Sequence, residues 1–267
     1  MSEPSAQATE RSCPICDESG CADLPAYSRP PWRVVACTGC RFVYLRNAPD
    51  YDRLIDEFAW EKSHKEEKAR RHREMPLLMA LDRATRWYKG LLRPSLDSKY
   101  RRLFAPGAVL DIGCGPGTFV PEPFIPFGIE ISAELHRQAD ERMRGRGGYA
   151  LHAPAAEGIA AFPDSHFSGV ILASILEHEK NPRSLLEQMR RVLRPDGVAY
   201  VKVPNFGCIN RRIMQGRWCG MRHPDHVNYF TPASVRRLAQ GAGLNFRWLN
   251  PLEPFNDNLH AVLTPAS

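Results

Sequence analysis

The sequence predicts an α/β fold: an open, mostly parallel sheet with a small metal-binding ribbon in front of it. Three observations predict it. First, a short apolar run, Ala108 to Ile112, leads straight into Gly113, Gly115 and Gly117 at alternate positions, which reads as a buried parallel strand followed by a tight turn. Second, another apolar run, Pro126 to Ile129, ends in Glu130, roughly 20 residues after Asp111. That is the spacing of an acid that hydrogen-bonds ribose hydroxyls at the carboxyl edge of such a sheet. Third, Cys13, Cys16, Cys37 and Cys40 are arranged as C-x2-C, twenty residues, C-x2-C, the spacing of a four-cysteine zinc ribbon.

The whole chain, at 267 residues, has room for one α/β domain and an appendage. Its net charge of +6 permits an acidic partner without demanding one. No run has the apolar length of a membrane helix. Residues 1–11 are polar and lack the apolar core of a signal peptide, so they read as a disordered tail of a cytoplasmic protein. In that compartment eight cysteines point to metal or free thiols rather than disulfides.

Residues 12–48 form the expected ribbon. Each C-x2-C knuckle aims two thiolates at one ion, and Val34–Ala36 and Phe42–Tyr44 read as the strands beside the second knuckle. Four thiolates close the site, so it is structural. Residues 49–104 read as a helical linker region. It is densely charged from Glu61 to Glu74 and rich in arginine beyond, which suits solvated helix faces better than a nucleic-acid surface.

Residues 105–267 form the main domain. Thr118 to Pro126 holds Pro121, Pro123 and Pro126, so a stub or an irregular loop is expected where a βαβ unit would place a helix. Ser132 caps a helix through Arg144, and Tyr149–His152 follows as a third strand. Gly169–Leu172 reads as the fourth strand, which leaves Glu177 and His178 at the same edge as Asp111. Asn181 caps the next helix with Pro182 at its first position. Val198–Val203 is the fifth strand. Residues 204–230 have little apolar period and many polar and aromatic groups, as functional loops often do. Thr231-Pro232 opens a helix through Ala239, and Leu244–Leu249 and Leu259–Leu263 are the last two strands.

The stretch Val109-Leu110-Asp111-Ile112-Gly113-Cys114-Gly115-Pro116-Gly117 resembles motif I of class I methyltransferases that use S-adenosylmethionine (SAM). A dinucleotide fingerprint would need G-x-G-x-x-G, which is absent. The resemblance implies a Rossmann-like sheet of seven strands, one of them antiparallel, with helices on both faces. It implies SAM contacts from Asp111, Gly113, Cys114, Gly115 and Gly117, with Glu130 and Ile131 at the ribose. Ala156 and Glu157 stand at the adenine loop, where the family's usual aspartate is missing, and Leu172 and Ala173, at the end of the fourth strand and just after it, complete the expected cofactor contacts. The four-cysteine ribbon and the run His226-Val227-Asn228-Tyr229-Phe230-Thr231-Pro232 resemble a bacterial subgroup of these enzymes.

The implied reaction is attack by an O, N or C nucleophile on the SAM methyl group, helped by positioning and exclusion of water. Residues 204–230 are expected to close over that group, with Trp218 and Tyr229 as an apolar wall. His226 is the first choice for a general base, followed by His223 and His178. The acceptor stays open among small metabolites, sugars, lipids and RNA. A small molecule or a glycan or lipid precursor is favoured over nucleic acid. The rival readings are a non-catalytic SAM-binding zinc adaptor and a nucleic-acid-binding methyltransferase.

Overall fold

The computed structural model describes residues 10–49, 95–251 and 255–266. The expected tail at 1–9 and the linker at 50–94 lie outside them. The N-terminal strands are β1 (Cys21–Asp23), β2 (Val34–Cys37) and β3 (Val43–Leu45). Helix α1 (Leu96–Leu103) leads into β4 (Ala108–Ile112), and β5 (Ile125–Glu130) follows with no helix between them. Then come α2 (Ala133–Arg144), β6 (Tyr149–His152), α3 (Ala155–Ala160) and β7 (Phe167–Ala173). The chain continues through α4 (Pro182–Val192), β8 (Leu193–Pro204), α5 (Ile209–Met214) and β9 (Asn228–Tyr229). It ends with α6 (Pro232–Gly241), β10 (Leu244–Trp248) and β11 (Asn258–Pro265).

Seven strands form the main sheet in the order β10-β11-β8-β7-β4-β5-β6. Its strands pair in parallel from β8 to β6, and only β11 runs against its neighbours. This is the doubly wound sheet that the sequence implied. The helix ends follow the local chemistry. The Ser132 and Asn181 side chains accept the backbone N–H of Leu135 and Ser184. Thr231 and Ser234 cap each other at the start of α6, satisfying two otherwise orphaned donors.

Alternation along the strands divides the core. Leu110, Ile112, Val170, Leu172 and Val201 face Leu185, Leu186 and Met189 of α4. On the other side Val109, Ile171 and Tyr200 pack with Tyr100, Phe104, Val120 and Phe124. The proline-rich crossover has no helix to offer this second face. Helix α1 covers it instead, with the Tyr100 and Tyr200 rings 5.5 Å apart and those of Phe104 and Phe124 5.9 Å apart. Helix α1, on the linker side of the boundary drawn at residue 105, thus packs directly on the sheet.

The ribbon is also less separate than its spacing suggests. Its sheet has four strands in the order β1-β2-β3-β9, and the fourth comes from the main domain. Val43 pairs with Tyr229 and Tyr44 with Asn228. Val34, Leu45, Phe206, Trp218, Val227 and Tyr229 share one core beneath that sheet. Arg11, expected in the polar tail, is anchored here: its guanidinium donates to the carbonyls of Leu45, Lys180 and Val227 and to Asn228 Oδ1.

Candidate functional site

The carboxyl ends of β4, β5, β6 and β7 share one edge of the sheet, because all four run in parallel. The glycine turn leaves β4 there. Gly113, Gly115 and Gly117 have φ of +72°, +53° and +76°, which L side chains rarely adopt. At Gly117 a Cβ would stand 2.9 Å from Ala139 Cα of α2, whereas at Gly115 it would meet nothing within 4 Å. The first position admits the helix and the second faces open space. The turn is strapped to β5, since Gly113 and Cys114 both donate to the Ile129 carbonyl.

Two acids border this turn. Glu130 is held by two backbone donors, Gly115 N–H on Oε2 at 2.8 Å and Ser132 N–H on Oε1 at 2.9 Å. Each oxygen keeps a second lone pair for a ligand hydroxyl. Asp111 is only 3% exposed, and its Oδ2 has no hydrogen-bond partner. Burial, and then the charge of Glu130, push its carboxyl up to about 8. A buried orphaned carboxylate oxygen is costly, and a cationic group beside it would relieve that cost.

The other expected cofactor residues divide by side chain. The Cys114 thiol turns inward against Ala139, Met143 and Ala150, and the Leu172 side chain lies in the core. Only their backbones are left to serve the edge. The Ile131 carbonyl lies 3.0 Å from His152 Nε2. Ala156 and Glu157 are exposed on the first turn of α3. Ala173 closes β7 and is followed by Ser174 at φ +64°.

Residues 204–230 do return to this edge, and Asn228 holds them there. Its side-chain amide donates to the carbonyls of Leu176 and Glu179 at 2.8 and 2.6 Å. The backbone N–H groups of Val227 and Asn228 both donate to the Glu177 carbonyl. The ribbon, through β9 and Arg11, thereby grips the turn that carries Glu177 and His178.

The expected catalytic residues behave differently from one another. His223 has both ring nitrogens engaged, Nε2 with the Tyr27 carbonyl at 2.9 Å and Nδ1 with the Tyr229 hydroxyl at 3.0 Å. It ties the loop to the ribbon and is not placed as a base. His226 is buried, with Nδ1 2.9 Å from the Gly220 carbonyl. Burial, and then the nearby charge of His178, lower it to about 3. Both effects favour the neutral ring.

For His178, burial disfavours the charged ring, but Asp225 outweighs it through charge and hydrogen bonding, and the ring rises to about 9. Its Nδ1 is 3.0 Å from Asp225 Oδ1, and Arg222 backs that carboxylate at 2.9 Å. The His178 and His226 rings meet at 4.9 Å, nearly perpendicular. Glu177, 1% exposed, adds an Oε2 without a partner. Asp225, Arg222, Asn228 and Arg11 were not among the expected site residues. Asp225 and Asn228 stood in the polar run of 204–230, but nothing in their spacing marked their partners.

Trp218 and Tyr229 do not form the expected wall over the edge. Both are buried in the core shared with the ribbon, with Trp218 Nε1 donating to Asp257 Oδ1 at 2.7 Å. In the ribbon, the Cys13 and Cys40 sulfurs are 3.5 Å apart, as are those of Cys16 and Cys37. Four sulfurs about 2.3 Å from one zinc ion would be roughly 3.8 Å apart, so the cluster fits zinc with little movement.

Among proteins of known sequence, the chain is 27% identical over 149 residues to a ubiquinone biosynthesis O-methyltransferase of Cupriavidus pinatubonensis, covering 51% of this chain and 59% of that one. It is 31% identical over 115 residues to an uncharacterised methyltransferase of Schizosaccharomyces pombe, covering 35% and 38%. The chain spans between 37% and 59% of the length of the curated relatives it matches. A SAM-dependent methyltransferase from Archaeoglobus fulgidus shares the fold, with a TM-score of 0.51 at 17% identity over 70% of this chain and 99% of that one. The family model described as a methyltransferase domain matches residues 80–247, more than half of the chain, and the protein belongs to that family.

Proposed function

We propose that this protein transfers a methyl group from SAM to a small-molecule, glycan or lipid-precursor acceptor. The observation that carries the reading is the pair of buried acids around the glycine turn. Asp111 offers an orphaned oxygen and Glu130 a fixed carboxylate at the edge where α/β sheets bind ligands. Both fit SAM, which carries an ammonium group and ribose hydroxyls and supplies an electrophilic methyl group.

Asp111 holds the ammonium end in this reading, and the open face of Gly115 lets the ligand lie against the backbone. Glu130 takes the ribose hydroxyls, and the start of α3, with Ala156 and Glu157, borders the adenine. The acceptor enters from the side of Glu177, His178 and His226, where Asn228 keeps residues 204–230 folded over the edge and limits water. Cys13, Cys16, Cys37 and Cys40 hold a structural zinc ion. Those thiols must stay reduced to ligate it, which suits a reducing compartment such as the cytoplasm. The test is transfer of label from methyl-labelled SAM into a fractionated small-molecule extract. A labelled product that disappears in Asp111→Asn and Glu130→Ala supports the proposal. SAM that fails to bind by calorimetry overturns it.

A further inference from the structure

Glu177, His178 and His226 each present one potential ligand atom, and these three atoms lie within 4.8 Å of one another. Two donors about 2.1 Å from a shared ion are at most about 4.2 Å apart, so small side-chain rotations bring all three onto one centre. We infer that these three residues form a second metal site, distinct from the four cysteines, for a first-row divalent cation such as Mn2+, Co2+ or Zn2+.

Three features of the cluster support ligation over simple packing. The first is Glu177 Oε2, which is buried without a partner and would be an expensive atom to leave unmatched. The second is the support behind each ring. His178 has Asp225 on Nδ1 and His226 has the Gly220 carbonyl on Nδ1, which leaves the two Nε2 atoms for an ion, His178 releasing its Nε2 proton to solvent as the ion binds. A carboxylate or a carbonyl behind the far nitrogen is the usual way a ligating histidine is oriented. The third is the donor set, two imidazoles and one carboxylate, which as three ligands leaves coordination positions open and suits these metals better than magnesium or calcium.

The cluster's origin adds to the argument. Glu177 and His178 come from the turn after β7, and His226 comes from the segment that β9 and Asn228 pin to that turn. The folding of residues 204–230 onto the sheet edge is therefore what assembles the three ligands. The role of the ion rests on the methyl-transfer reading: it would hold an acceptor hydroxyl oxygen at an open position and lower its pKa, the proton leaving to solvent.

The test counts metal on the full chain. Purified protein is freed of loose metal, its bound metal is measured, and it is titrated with CoCl2. Cobalt on cysteine thiolates gives an intense near-ultraviolet charge-transfer band, and cobalt on imidazole and carboxylate gives only weak visible bands. The expected result is one equivalent beyond that held by the cysteines, either bound as purified or taken up with the weak spectrum. Glu177→Gln and His226→Gln should weaken it tenfold or more while the cysteine-held equivalent remains. No second equivalent at millimolar CoCl2, or equal uptake by wild type and both variants, overturns the inference, and the wild-type count alone decides should either variant misfold. SAM calorimetry on the same samples separates the two readings. SAM binding without a second metal removes only this site, and a second metal without SAM binding removes only the methyl-transfer reading.

Discussion

Replacing Asp111 by asparagine should make the protein more stable and less able to bind SAM. The Asp111 carboxyl moves from 3.8 in the ordinary state to about 8 in the fold, because burial disfavours its charge and Glu130 adds repulsion. A raised carboxyl means that the folded chain binds the proton more tightly than the unfolded chain. Stability therefore falls as pH rises from about 4 to about 8, and is unaffected below that window. At 1.36 kcal/mol per unit, the loss reaches an upper bound of about 5–6 kcal/mol above pH 8 and about 4 kcal/mol at pH 7. Relaxation around the site will reduce it to a few kcal/mol. Asp111→Asn removes the ionisation with little change in volume. Urea denaturation without ligand at pH 4, 6 and 8 should show the variant equal to wild type at pH 4 and progressively more stable above it. Affinity for SAM should fall by about 1.5–3 kcal/mol as a charge-assisted contact is lost. Calorimetry at pH 7 in buffers of different ionisation enthalpy should show a proton released on SAM binding by wild type and none by the variant. Parallel pH profiles, or unchanged SAM affinity in the variant, would refute the reasoning.

Three further outcomes follow from the same geometry. Glu130→Gln places a donor among the N–H groups of Gly115 and Ser132 and should weaken SAM binding roughly ten- to a hundredfold; an unchanged dissociation constant counts against the ribose role. Cys16→Ser with Cys37→Ser should release one zinc equivalent and also shift Trp218 fluorescence to the red, because Trp218 shares a core with Val34 and Leu45. An unshifted spectrum, with Trp218→Phe as the control for its assignment, would mean that the ribbon folds apart from the main domain. Asn228→Ala removes the hydrogen bonds that its side chain donates to the carbonyls of Leu176 and Glu179 and accepts from Arg11. It should cost about 2–4 kcal/mol in denaturation and raise KM for the acceptor more than KM for SAM; a loss below 1 kcal/mol with both constants unchanged would show the latch to be dispensable.

The legible part of this chain is the part that repeats a local rule. The apolar runs at Ala108–Ile112 and Gly169–Leu172, the caps at Ser132, Asn181 and Thr231, and the glycine turn all follow from sterics and hydrogen bonding within a few residues. They placed these strands and helices and the edge that holds Asp111 and Glu130, whereas the mostly parallel, seven-stranded sheet came from the family resemblance. The prolines of Thr118–Pro126 argued against a long helix, and the loop they left open as one outcome is what forms. They gave no sign that α1 would come from the preceding segment to cover the bare face, since that depends on Tyr100 and Phe104 meeting Tyr200 and Phe124 from afar.

Longer-range pairing hid more of the site. Strand β9 is two residues long, too short for any periodicity to register, yet it joins the ribbon to the main domain. The histidines were recognisable as chemically active, but the partners that tune each ring were not. Burial moved His226 down, and Asp225, a residue 47 positions from His178 in the chain, moved that ring up. A histidine's role is set by what lies behind its second nitrogen, and here those partners are a carbonyl, a carboxylate and a tyrosine brought in by the fold. For the same reason the ribbon's role is not confined to its four cysteines. By lending β3 to β9, and Arg11 to Asn228, it fixes residues 204–230 against the turn after β7. Any change that loosens the four cysteines should therefore be felt first at His226 and the acceptor side, and only later at the glycine turn that lies on β4 and β5.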